Sequence, residues 1–282
     1  MMSYTNPVKI VLSLVCIAIG VFSSSKKNFI PSKDCPIRRN AVDDKHSLAK
    51  CSQKSIFWKS NYKIALAQIA KVRVWKTNPL QSVLFSSGMT IDADGSPRAY
   101  HPKDIGLDTL EHAGKNGNWW AIALQDGKPV TQKTGYYVST TSLQDSNYRT
   151  SDQRRYINSE KIPYIVLPPM VAQKGRISLG DIALVYNQNN TRSAYAIYAD
   201  TGADTRIGEG SIALAKALGV NADVRTGGVV QGIVYLVFPR SGNGKPQTLA
   251  KIHQIGKRLA KKWGGVSRIK LYLKSKKGVV PL

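Results

Sequence analysis

The sequence predicts a mainly β domain, of the β-rich α+β kind, with a few packed helices. Three observations carry this. Short apolar runs bounded by Gly, Pro or Asp recur at Ile162–Pro168, Leu179–Val185, Ala194–Ala199 and Gly228–Phe238, each of strand length. Beyond Leu80, helical signals are confined to a segment opened by Ser211 and stopped by Gly219, and to Leu249–Trp263. The 282 residues are 42% hydrophobic, enough for a core in one large or two small domains.

The chain opens on Ile10–Phe22, an unbroken apolar run of thirteen residues after Lys9. A membrane span needs about 20, so residues 1–25 are read as a secretory signal peptide or an uncleaved N-terminal anchor, and the protein as secreted or resident in the periplasm or cell envelope. Residues 26–79 form a basic arm, within which Ser60–Trp75 has the near-helical spacing of a helix or an extended arm ending at Asn78-Pro79. Cys35 and Cys51 either pair or stay as free thiols. No metal site and no cofactor are expected, because no histidine lies at ligand spacing from a cysteine.

The net charge of +24 suggests a nucleic-acid binder until it is divided along the chain. Lys26–Lys76 carries thirteen basic residues against three acids, and Arg240–Leu282 twelve against none. The intervening residues are balanced to within one charge. The charge therefore belongs to the flanks, which are either a solvated face or a contact for an anionic surface such as wall polymer or lipid head groups. No nucleic-acid partner is expected, and the oligomeric state is left open.

The main domain is read as residues 80–282. Asp92, Asp94 and Gly95 make a tight turn between two short strands, without the further acids an EF-hand needs. Gly117–Leu124 reads as a strand followed by a hairpin turn at Asp126-Gly127, and Tyr136–Ser139 as another strand before a polar loop, Thr140–Arg155. Paired Trp119 and Trp120 are core or sugar-stacking residues. Asp181 is suited to accept from backbone amides in its turn. Leu249, Ile252, Ile255, Leu259 and Trp263 define an amphipathic helix with a basic face, and Arg268–Lys274 reads as a last strand.

The segment Ala194–Val220 organises the rest. A buried strand, Ala194–Ala199, runs into Asp200-Thr201-Gly202, and Glu209 stands just before the Ser211-capped helix. Two acids facing one cleft are what hydrolysis of a glycosidic bond requires. On spacing alone the pair also reads as a turn aspartate and a solvated glutamate.

Four motifs, Asp92-Ala93-Asp94-Gly95, Ile162–Pro168, Leu179-Gly180-Asp181 and Ala199-Asp200-Thr201-Gly202 with Ile207-Gly208-Glu209, resemble glycoside hydrolase family 75, the chitosanases. The resemblance spans roughly Ser82 to Tyr272. The Asp-Thr-Gly rhythm is also similar to the double-psi β-barrels of lytic transglycosylases. The resemblance implies a double-psi-like β-barrel and an inverting endo-glycosidase acting on a polysaccharide, chitosan or a cell-wall glycan. Glu209 would then protonate the leaving oxygen and Asp200 activate water or steady the oxocarbenium-like charge, with Asp92, Asp94, Tyr100 and Thr201 as substrate-binding residues. Glu209 raises a conflict, since a helix N-terminus and Arg206 favour its ionised form while an acid catalyst needs a raised pKa. Cleavage of peptidoglycan and a non-catalytic wall-binding module are the alternatives.

Overall fold

The computed structural model describes residues 63–274, all within one compact unit. The apolar run Ile10–Phe22, Cys35, Cys51 and the basic residues before Lys63 lie outside the described residues. Along the chain, β1 (Lys63–Ile69) and β2 (Val72–Thr77) form a hairpin that pairs with the long β3 (Ser82–Asp92). A loop layer follows, containing the one-turn helix α1 (Leu110–Ala113) and the two-residue strands β4 (Gly114–Lys115), β5 (Asn118–Trp119), β6 (Leu124–Gln125) and β7 (Lys128–Pro129). Next come β8 (Tyr164–Leu167), α2 (Pro169–Gly175), β9 (Ile182–Asn187), β10 (Ser193–Thr201), β11 (Glu209–Ser211), α3 (Ile212–Leu218) and β12 (Val229–Phe238). Helices α4 (Leu249–Trp263) and α5 (Gly265–Lys274) complete the described chain.

Six strands close a barrel in the order β3-β11-β8-β10-β9-β12, with β12 returning to β3. The pairs β3–β11 and β8–β10 are parallel and the other barrel pairs antiparallel. Alternation along each strand explains the closure. Val83, Phe85, Met89 and Ile91 of β3 meet Ile165, Leu167, Val185, Tyr198, Tyr235 and Val237 inside, where Phe85 stacks on Tyr235 at 4.6 Å. The outward residues are covered as well. Leu84, Leu184, Val234, Leu236 and Phe238 pack under Trp263, Ile269 and Tyr272 of α4 and α5. Tyr164, Val166, Ile197 and Ala199 lie under Leu143, Ile157 and Ile252. Strands buried on both faces read as continuous apolar runs, which is why they were legible in the sequence.

Helix α3 matches its expectation: the Ser211 hydroxyl accepts from the Leu214 N–H, and Gly219 stops the helix at φ 64°, a left-handed position costly for residues with a β-carbon. Asp181 accepts from the N–H groups of Ser178, Arg240, Ser241 and Gly242, tying its own turn to the turn after β12. Asp126 and Gly127, both at positive φ, make the expected hairpin turn between β6 and β7.

Three expectations are corrected. The described part of Ser60–Trp75 is the β1–β2 hairpin and not a helix, because Val72 and Val74 favour a strand and pair with Ile69 and Ala67 across it. Arg268–Lys274 is helical: Ile269 and Tyr272, three apart, both bury on the barrel, which a strand would send to opposite faces. Gly117–Leu124 and Tyr136–Ser139 form no full strands. They are joined by isolated bridges such as Ile122↔Ser139, within a loop layer over one end of the barrel.

Candidate active site

Register places the two principal acids. Strand β8 lies between β11 and β10, and its Val166 is paired with Glu209 on one side and Asp200 on the other. Paired residues share a sheet face, so both carboxyl side chains rise on the face of Val166. For Asp200 this depends on a β-bulge. The register of β10 against β8 slips between Tyr198 and Asp200. Without the extra residue Asp200 would follow Ala196 and Tyr198 into the barrel interior, so the bulge re-aims it outward. The parallel pairing of Ser211 with Asp92 brings Asp92 to the same face from β3. Gly202 borders the cleft at ordinary backbone angles. A β-carbon there would stand 3.1 Å from Val166 Cγ1 and 3.6 Å from Glu209 Oε2. Its glycine therefore keeps space open and does not serve a left-handed turn.

Asp200 is buried, and its Oδ1 accepts from three donors: Ser142 N–H at 3.0 Å, the Ser142 hydroxyl at 2.6 Å and Thr201 N–H at 2.8 Å. Burial raises its pKa and these bonds oppose the rise. Asp92 Oδ1 accepts from Asp94 N–H at 2.8 Å, and Asp94 Oδ1 from the Tyr100 hydroxyl at 2.6 Å. The Tyr164 hydroxyl donates to the Asp94 carbonyl. Burial first, then repulsion from neighbouring acids, holds Asp92 and Asp94 well above the usual carboxylate range. Crowded acids cannot all ionise, and the best-solvated member by protein donors keeps its charge most readily. That member is Asp200.

Glu209 resolves the conflict noted in the sequence. Burial raises its pKa more than the Arg206 cation lowers it, and Asp200 and Asp108 add to the rise while His112 opposes it. Two amides at the N-terminus of α3 bond to acceptors other than Glu209: Leu214 N–H to the Ser211 hydroxyl and Ala213 N–H to the Ser159 carbonyl. Asp204 accepts from Met170 N–H.

All six residues singled out in the sequence meet in one region, in different roles. Thr201 sits exposed at the rim beside Asp200, whereas Tyr100 is 2% exposed and reaches only Asp94. Ser142, Asp108 and His112 were missed. Asp108 Oδ1 and His112 Nδ1 are 2.8 Å apart. Ser142 lies in a polar loop with no motif of its own, and only the fold brings it to Asp200. The sequence also gave no sign that Asp92, Asp94 and Asp200 offer carboxylate oxygens within 4.8 Å of one another, a convergence suited to a cation.

Acids raised on one sheet face, with Glu209 partly buried and Asp200 held by three donors, are an arrangement of the kind that glycosidic-bond hydrolysis uses. The chain matches the family model described as fungal chitosanase of glycosyl hydrolase group 75 over residues 89–261, more than half its length, and belongs to that family. Among curated proteins none matches. The hairpin β1–β2 and helix α5 lie outside the matched span.

Proposed function

We propose that this protein is an exported, inverting endo-glycosidase that hydrolyses β-1,4 bonds in glucosamine polymers. The observation that carries the reading is the pairing of Glu209 and Asp200 to Val166 from its two sides. Two strand spacings set their α-carbons roughly 9.5 Å apart, which suits an inverting pair at about 6.5–9.5 Å between carboxyls better than a retaining pair at about 5–5.5 Å. Glu209, whose pKa burial raises, gives its proton to the glycosidic oxygen as the bond from that oxygen to the anomeric carbon breaks. Asp200, whose ionised form its three donors favour against burial, takes a proton from the water whose oxygen attacks the same carbon from the opposite face. Asp200 ends protonated and Glu209 ionised, and solvent restores both.

Asp92 and Asp94 explain the preference for glucosamine over a neutral sugar. A substrate ammonium beside these carboxyls favours their ionised forms and is bound in exchange for protons. Tyr100 positions Asp94, and Thr201 faces the substrate at the rim. The exposed Lys251, Lys257, Arg258, Lys261 and Lys262 of α4 belong to the basic flanks and are suited to an anionic surface. The test is release of reducing ends from chitosan and from purified wall glycan, with the anomer formed first read by proton NMR. Reducing ends from chitosan, first appearing as the α-anomer, support the reading. Activity on wall glycan alone, or a first-formed β-anomer, overturns it.

A further inference from the structure

The tryptophan pair in the loop layer divides its labour. Trp119 is partly buried against the barrel core and lies 6.1 Å from Tyr137, whereas Trp120 is 61% exposed. Among the described residues Trp120 is the one aromatic side chain in the set of large exposed hydrophobics. Exposure of such a ring costs hydration free energy, and here the ring is also held in place. The Trp120 backbone N–H donates to the Ala113 carbonyl at 2.9 Å and its indole N–H to the His112 carbonyl at 2.6 Å. With both N–H groups spent on one bend of chain, the ring keeps its orientation and presents an apolar face to solvent.

Its neighbours tie that face to both acids. On one side, His112 is paired with Asp108, and both charges are felt by Glu209. On the other side, the Ala121 carbonyl accepts from Thr140 N–H at 2.9 Å, and Ser142, two residues on, donates to Asp200. The Trp120 segment thus runs along the Ser142 segment, at the rim of the cleft.

We infer that Trp120 is a stacking platform for a glucosamine ring of the substrate, at a subsite beyond the one where the bond is cleaved. A pyranose ring offers an apolar C–H face, and a glucosamine ring adds an ammonium attracted by the indole π-cloud. A platform fixed in advance binds without the cost of ordering a rotamer-rich side chain. The ligand class rests on the functional reading above. The position of the platform rests on the hydrogen bonds of Trp120, Ala121 and Ser142.

The test is steady-state kinetics on chitosan for wild type, Trp120→Ala and Trp120→Phe. Removing the ring should raise KM by about three- to thirtyfold, the span from a solvent-exposed to a desolvated cation–π contact, and leave kcat within about twofold of wild type. Phe should recover most of the loss. A second readout needs no turnover. A glucosamine hexamer titrated into Glu209→Gln should shift the tryptophan emission, and the shift should vanish in Glu209→Gln/Trp120→Phe. An unchanged KM in Trp120→Ala, or an emission shift that survives the double substitution, overturns the platform. Wild-type protein inactive on chitosan overturns the functional reading instead, and with it the ligand class assigned to this ring.

Discussion

Ser142→Ala isolates one contact in the site and reads it through the chemistry. The hydroxyl makes the shortest of the three hydrogen bonds to Asp200 Oδ1, at 2.6 Å, and the substitution leaves the Ser142 and Thr201 N–H groups in place. A hydrogen bond to a charged group is worth about 1.5–3 kcal/mol, so its loss shifts the ionisation equilibrium of Asp200 toward the protonated form by about tenfold or more. The sign follows from the role. A general base works ionised, and Asp200 already lies above the usual carboxylate range because it is buried. Less of the enzyme is therefore competent on the acid side of its pH profile. The assay is kcat/KM on a soluble glucosamine oligomer across the acid limb and plateau. The expected outcome is a fall of about tenfold or more on the limb and a change of less than about threefold on the plateau. Because the acids titrate as a group, the limb is compared with wild type and not assigned to one residue. An equal loss at every pH would mean that Ser142 only shapes the loop. An unmoved limb would refute the role of Asp200 as the ionised partner.

Gly202→Ala should keep the fold, since the backbone there is ordinary, yet place a methyl 3.6 Å from Glu209 Oε2. That distance is ordinary contact, and the 3.1 Å approach to Val166 Cγ1 asks a few tenths of an ångström of the valine beside both acids. The kcat/KM should therefore fall severalfold, short of the roughly hundredfold that a misplacement of about 1 Å costs, while the melting temperature moves little; unchanged activity would show that this space is not used. Asp92→Asn should change the pH dependence of stability. The folded pKa of Asp92 is raised by burial and by Glu209 and Asp200, so its acid contributes stability at low pH that is lost as pH rises from the ordinary carboxylate range through the raised folded value. The asparagine variant should therefore melt higher than wild type at neutral pH, with the advantage vanishing in acid; a lower melting temperature at neutral pH would contradict the assignment.

Strands buried on both faces were legible because the barrel gives them no polar face to interrupt the apolar run, as in Tyr164–Leu167 and in Ile233–Phe238 of β12. Helices α3 and α4 were legible through their caps and periodicity. Short pairings in the loop layer were not, because bridges such as Thr131↔Tyr137 depend on the barrel beneath them and leave no repeating pattern. Helix α5 was misjudged because basic and apolar residues alternate in Arg268-Ile269-Lys270-Leu271, the period of a strand, whereas the surface it packs on decides its structure. Asp200 and Glu209 were singled out through the resemblance of Ala199–Gly202 and Ile207–Glu209 to a family motif, since their spacing alone reads equally as a turn aspartate and a solvated glutamate. The bulge that aims Asp200 was invisible, being a property of pairing and not of composition. Ser142 and the Asp108–His112 pair reach the acids from the loop layer, joined to them by the fold and not by spacing.

The central claim is that Glu209 delivers the proton and Asp200 activates the water. Its most direct test is turnover of chitosan by Glu209→Gln, with thermal melting to show that the domain is folded. Amide and carboxyl are nearly the same size, so the substitution removes proton delivery and little else. The general acid contributes about 10²–10⁴-fold, so kcat should fall by at least about a hundredfold at unchanged melting temperature. Wild-type turnover by a folded Glu209→Gln protein would contradict the claim.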